Sequence, residues 1–163
     1  MTDNVELAEQ LKDTCKEFVA AMTQKEIETF VDFTELMEVG SQEVFAEIGE
    51  IGDQFYLVIS GEVRLFREEA GREIDVGSIG SGGLVGEMSF FDREPRTIRL
   101  RARRSGVRML SISRTMYRRL TFEHPIIAVN LLEFVILSLD KLVRSTSKDI
   151  SSLHTQVTGM GMR

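Results

Sequence analysis

The sequence predicts a mainly β fold with helices at both ends. Three observations carry that prediction. The middle of the chain consists of short segments whose apolar residues recur at every second position. Glycines at 40, 52, 61, 71, 77, 80, 82 and 83 punctuate those segments. On either side, the apolar period lengthens to three and four residues.

The elements follow in order. From Val5 to about Met22, Ala8, Leu11, Cys15, Phe18, Val19 and Met22 fall on one side of a helix. Thr23, with Glu26 three residues on, has the spacing of a capping box and starts a second helix through Phe33. Strands are predicted at Leu36–Val39, Glu43–Ile48, Phe55–Ser60, Glu62–Glu68 and Glu73–Ile79. Two more follow at Thr97–Arg103 and Val107–Ile112, and in the first of these Ile98, Leu100 and Ala102 alternate with Arg99, Arg101 and Arg103. Helix returns from Arg114 to about Phe122, then from Pro125, a residue suited to a first helical turn, to about Thr146. That last helix is apolar on more than one side, so a single packing surface cannot cover it. The expected division is a helical segment over residues 1–34, a β domain with its C-terminal helices over 35–146, and a flexible tail over 147–163.

Composition narrows the functional classes. With 163 residues the chain has room for one core of ordinary size. A net charge of −6 argues against wholesale attraction to nucleic acid or an anionic membrane. The first residues lack the pattern of a secretion signal and no apolar run is long enough to span a bilayer, so a cytoplasmic protein is expected. Cys15 is the single cysteine, on an apolar helical face, and is read as packing.

The residues between Gly80 and Thr97 carry the chemistry. Gly80, Gly82, Gly83 and Gly86 let the backbone turn tightly and approach a ligand closely. A short helix beginning near Glu87 would direct the amides of Met88 and Ser89 toward an anion. Arg96 adds a permanent forked cation and Thr97 a hydroxyl. Glu87 is out of place in an anion site unless it accepts from donors such as sugar hydroxyls. Phosphate and ribose together satisfy the whole set.

Gly86-Glu87-Met88-Ser89, a short helix, and then Pro95-Arg96-Thr97 resemble the phosphate-binding cassette of cyclic nucleotide-binding domains. The upstream run Gly52-Asp53-Gln54-Phe55-Tyr56-Leu57-Val58-Ile59-Ser60-Gly61-Glu62-Val63 resembles the same family's signature between its third and fourth strands. The resemblance runs from about Thr23 to about Thr146 and implies an eight-stranded jelly-roll β-roll with a cassette helix and a long C-terminal helix. It further implies that Glu87 accepts from the ribose 2′-hydroxyl, that Arg96 pairs with the cyclic phosphate, that Ser89 and Thr97 help hold the phosphate, and that Gly86 supplies backbone beside the sugar. Leu84 and Val85 are expected in the pocket wall, and Leu139, Leu142 or Val143 over the base. Ile98 is bulkier than the small residue frequent at its position and is expected to tighten the pocket.

The ligand implied is cyclic AMP or cyclic GMP, with a slight preference for cyclic AMP, and no other cofactor or metal is expected. Metal-dependent enzymes on a similar roll need clustered histidines, and His124 and His154 both lie outside the predicted strands, so no catalysis is expected. Residues 147–163 are too few for a DNA-reading domain, which leaves a stand-alone sensor acting through a protein effector or a domain excised from a larger chain; the stand-alone sensor, dimerising through its last helix, is the expectation. The alternative is a diverged association module of the same fold that binds no nucleotide. Arginines between 93 and 119 are read as a solvated strand face.

Overall fold

Alternation along residues 55–59 decides the architecture. Phe55, Leu57 and Ile59 enter one buried cluster, while Tyr56 and Val58 enter another on the opposite side. A strand buried on both faces must lie between two layers: here a helical layer and the interior of a β-roll.

The computed structural model describes residues 2–160. Its elements are α1 (Thr2–Thr14), α2 (Lys16–Val19), α3 (Gln24–Asp32), β1 (Glu35–Val39), β2 (Val44–Ala46), β3 (Gln54–Glu69), β4 (Arg72–Gly80), β5 (Leu84–Val85), α4 (Glu87–Asp92), β6 (Arg99–Ser113), α5 (Arg114–Glu123) and α6 (Pro125–Met160). The strands pair antiparallel in the order β1-β6-β3-β4, with β2 on β6 and β5 on β3.

Six strands stand where eight are expected, because β3 and β6 each run through a position read as a turn. Gly61 (φ +86°) and Gly106 (φ +73°) face one another there, and a Cβ on Gly61 would lie 2.3 Å from the Gly106 carbonyl oxygen. The register between β3 and β6 shifts on both sides of Gly61, so each strand bends without losing its partner. Cut at these bends, the long strands supply the two missing segments.

The helical layer follows its sequence pattern with one interruption. Ala8, Leu11, Cys15, Phe18 and Val19 are all buried, but the chain breaks between α1 and α2 at Cys15 (φ −111°, ψ 48°) rather than running as one helix to Met22. Burial pushes the Cys15 thiol up to about 12, which keeps it protonated and makes it a packing residue. The Thr23–Glu26 capping box forms in both directions, with Thr23 N–H donating to Glu26 Oε2 at 2.7 Å.

Helix α6 extends to Met160 instead of ending near Thr146. The expected flexible tail is therefore helical through residue 160, with 161–163 outside the described residues. Its serine and threonine hydroxyls turn inward along the helix, as when Ser147 and Ser151 donate to Val143 and Ser147 carbonyls at 2.9 and 3.0 Å. Neither proline nor glycine interrupts it between Pro125 and Gly159. The buried side of α6 carries Ile127, Ala128, Leu131, Phe134 and Val135, with the Phe134 ring 5.4 Å from that of Phe18. None of the described helices is long and apolar enough to cross a membrane.

The bend at Gly61 gives a direct test. Gly61→Ala, which adds a Cβ against backbone at a positive φ, is expected to destabilise by roughly 2 kcal/mol or more in urea denaturation. Gly71→Ala (φ +74°) meets nothing within 4 Å and is expected to cost about 1 kcal/mol.

Candidate functional site

Strand β5 ends at Val85, and Gly86 (φ +81°) swings the chain into α4. Only a residue tolerant of the left-handed region makes this turn without strain. Arg93 (φ +66°) closes α4, its N–H donating to the Ser89 carbonyl at 3.2 Å. The returning segment is then clamped at Arg96, whose N–H donates to Glu50 O and whose carbonyl accepts from Gly49 N–H, both at 2.8 Å.

Two further ties hold the cassette against the loop before β3. Ser89 Oγ accepts from Gly52 N–H at 2.8 Å and donates to the Glu94 carbonyl at 2.6 Å. Arg114, the first residue of α5, donates from Nη2 to the carbonyls of Phe90 and, at 3.3 Å, Gly52. Its guanidinium also lies 4.2 Å from the centre of the Phe90 ring. Arg114 thereby links the cassette helix to the C-terminal helices, and nothing in its local sequence announces it.

The Arg96 side chain reaches inward between two glycines. Its Nη1 donates to Gly86 O at 3.4 Å and its Nη2 to Gln54 O at 3.3 Å. A Cβ on Gly52 would come within 2.7 Å of Nη2, and one on Gly86 within 3.0 Å of Nη1. Among the described residues Arg96 makes no ion pair with Glu87 or Asp92, so its charge stays available. Glu87 is buried, 7% exposed. Burial raises its carboxyl above the ordinary range, opposed by its own backbone N–H and by the Arg96 charge.

These groups surround a cavity of about 450 Å³. Gly86, Glu87, Met88, Ser89, Arg96 and Thr97 all line it, as do Val85, Ile98 and, from α6, Leu142. Three expected wall or cap residues do not. Leu84 precedes Val85 by one residue in β5 and so points to the opposite face, into the helical cluster. Leu139 packs on that same cluster, and Val143 is 63% exposed. The Ser89 hydroxyl donates its one proton to the Glu94 carbonyl and accepts from Gly52 N–H.

The apolar wall also contains Leu65, Val76, Ile79 and Leu100. Leu65 and Leu100 continue the inward alternation of their strands and were legible from it. Val76 was not. It is the extra residue where Leu65 pairs with Gly77 and Phe66 with Asp75, a bulge permitted by Gly77 (φ +142°).

The arginine-rich face of β6 is neutralised from neighbouring strands. Arg99 pairs with Glu47 at 2.8 Å and with Glu73 at 2.5 Å, Arg101 with Glu73 at 2.8 Å, Arg108 with Glu38 at 3.0 Å, and Arg103 with Glu62.

Comparison with known proteins agrees with this geometry. A CRP-like cAMP-activated global transcriptional regulator of Mycobacterium tuberculosis is 36% identical over 118 residues, 71% of this chain and 50% of the regulator. A lysophospholipase of Pyricularia oryzae is 29% identical over 119 residues, 72% of this chain but 8% of the enzyme. The chain thus spans half or less of these relatives. Among solved structures, the catabolite activator protein of Thermus thermophilus superposes with a TM-score of 0.70 at 26% identity, over 85% of this chain and 63% of that one. A cyclic nucleotide-binding domain from Methylobacillus flagellatus superposes with a TM-score of 0.80 at 18% identity, over 91% of this chain and 84% of that one, a likeness of fold. Residues 36–124, which contain the whole cassette, match the cyclic nucleotide-binding domain, and the chain belongs to that family.

Proposed function

We propose that this cavity binds a cyclic nucleotide, and that binding regulates a protein effector through α6. The carrying observation is the placement of Arg96 and Glu87 in one apolar-walled cavity, close enough to influence each other yet unpaired. An unpaired cation and a buried carboxylate are poorly solvated alone, and a phosphate with a neighbouring sugar hydroxyl satisfies both at once. Arg96 takes the cyclic phosphate, assisted by the Met88 and Ser89 amides and the Thr97 hydroxyl. Glu87 accepts from the ribose 2′-hydroxyl. The base lies against the apolar wall under Leu142.

A volume of about 450 Å³ lies in the range of small-ligand pockets. Cyclic AMP is favoured over cyclic GMP, in line with the cAMP-activated mycobacterial relative. Leu142 belongs to the same helix whose outer side is exposed, so a nucleotide that draws Leu142 over its base shifts the population of α6 positions. The homodimer proposed for this protein forms through that helix, and the effector reads its position. Residence in the cytoplasm accords with a cyclic-nucleotide ligand.

Titration calorimetry tests the reading. Wild type is expected to release heat with cyclic AMP, and Arg96→Ala to bind about a hundredfold more weakly or worse, the loss expected of a buried charge-assisted pair. No heat from wild type with either nucleotide up to millimolar concentration returns the chain to an association module without ligand. Gly52→Ala should displace the Arg96 head, whose Nη2 lies 2.7 Å from the added Cβ, while the Phe90 backbone nitrogen at 3.2 Å has only a few tenths of an ångström to give. Its expected signature is a weakened nucleotide affinity.

Glu87 supplies a pH test. Its folded pKa lies above the unfolded value, so the stabilising contribution of the protonated form is present at low pH and lost as pH rises through the folded value. Glu87→Gln is accordingly expected to stabilise the empty protein at pH 7 by roughly 1 kcal/mol while weakening nucleotide binding. The stability gain should shrink on acidification, as followed by thermal melts at pH 7 and pH 5.

A further inference from the structure

The cavity that holds Arg96 is poor in positive charge. Arg96 is its one lining cation, whereas three carboxylates line it: Glu87, Asp92 and Glu94. Glu87 has a part in the proposed binding, as acceptor for a sugar hydroxyl. Asp92 and Glu94 have none there. Both are exposed, and among the described residues neither enters an ion pair. The neighbouring cations are engaged elsewhere: Arg93 lies 3.8 Å from Asp53, Arg99 pairs with Glu47 and Glu73, and Arg114 donates to the carbonyls of Phe90 and Gly52.

The segment that carries these two carboxylates is pinned. Asp92 Oδ1 accepts from Glu94 N–H at 2.9 Å, which holds the Asp92 carboxylate at the turn after α4. The Glu94 carbonyl accepts from the Ser89 hydroxyl at 2.6 Å, and Pro95 pairs with Ile51 in an isolated antiparallel bridge. Two negative charges therefore stand at the solvent-exposed edge of a cavity whose proposed ligand is itself an anion. A cyclic phosphodiester carries one negative charge, which the single Arg96 guanidinium matches. A phosphomonoester carries close to two at neutral pH, and its second charge finds no further cation in the cavity lining. Coulomb energy is proportional to the charge of the ligand, so Asp92 and Glu94 oppose a dianion twice as strongly as a monoanion.

We infer that Asp92 and Glu94 are specificity-determining residues, which select phosphate groups bearing a single negative charge and disfavour phosphomonoesters and phosphate chains on the same nucleoside. The inference rests on the nucleotide reading given above and deepens it by stating the charge class of the ligand. Contacts to the base and to the 2′-hydroxyl do not separate the two classes, because AMP and cyclic AMP share both groups. Water added across one P–O bond of cyclic AMP yields AMP, with a second ionisable oxygen on phosphorus and a free 3′-hydroxyl on the sugar. The two carboxylates thus work against retention of the hydrolysed ligand. Solvent screens both of them, so each is worth a few-fold in affinity rather than orders of magnitude.

Competition calorimetry at pH 8, where AMP is a dianion, compares cyclic AMP with AMP on three full-length proteins. These are wild type, Asp92→Asn with Glu94→Gln, and the charge-conserving Asp92→Glu with Glu94→Asp. The neutralised variant is expected to bind cyclic AMP about threefold more tightly and AMP about tenfold more tightly than wild type does, the square relation that doubled ligand charge requires. The charge-conserving variant is expected to keep the wild-type ratio of the two affinities. Equal gains for both ligands, or AMP bound no better by the neutralised variant than by wild type, would overturn the inference. A ratio that falls as far in the charge-conserving variant would overturn it too, by assigning the effect to shape. Each of these results, obtained with a wild type that binds cyclic AMP, leaves the nucleotide reading standing. Failure of wild type to bind cyclic AMP overturns both.

Discussion

The Arg96 guanidinium enters a narrow slot between Gly52 and Gly86, and the cassette is organised around keeping it there unpaired. Pairing it with Glu87 would satisfy both charges and close the site. Instead its nitrogens rest on carbonyl oxygens at 3.3 and 3.4 Å, bonds long enough to be exchanged for a stronger anion. The backbone clamp of Arg96 on Gly49 and Glu50 fixes where the side chain starts. The two Ser89 hydroxyl bonds fix the distance between the helix and the slot.

This arrangement holds a carboxylate in a place that raises its proton affinity. Glu87 is one of three buried polar or charged residues among the described ones, beside Ser89 and Ser111. Ser89 and Ser111 are hydrogen-bonded to backbone carbonyls, as a buried hydroxyl should be. Glu87 is answered chiefly by its own amide and a neighbouring charge, which leaves lone pairs for a ligand to satisfy. Stability is given up where binding is to be gained, a pattern common to functional sites.

The same economy runs through the C-terminal helices. Arg114 joins the cassette helix to the start of α5, and Leu142 joins the cavity to α6. Between them the ligand site is tied at two points to the part of the molecule whose outer surface is apolar and uncovered. A ligand that changes either tie has a route to that surface built from packed side chains and short hydrogen bonds. The proposed sensor role depends on this continuity.

Much of this was legible in the amino-acid order, because its causes are local. The Thr23–Glu26 cap, the two-residue alternation of the strands, the turn at Gly86 and the grouping of Glu87, Arg96 and Thr97 each arise from residues a few positions apart. Other features depend on which surface comes to lie opposite. Gly61 reads as a turn until Gly106 is brought against it, when it becomes a bend within one strand. Leu84 and Val85 are equally apolar, and only the placement of β5 on β3 sends one to the helices and the other to the cavity. Leu142 lines the cavity, while Leu139, three residues earlier on the same helix, packs on the helical cluster. Ser89 has a hydroxyl suited to phosphate, yet its one proton goes to the Glu94 carbonyl, while Gly52 N–H, 37 residues away, donates to its oxygen. Spacing along a chain determines what a residue is able to do; the partner that folding sets beside it determines what it does.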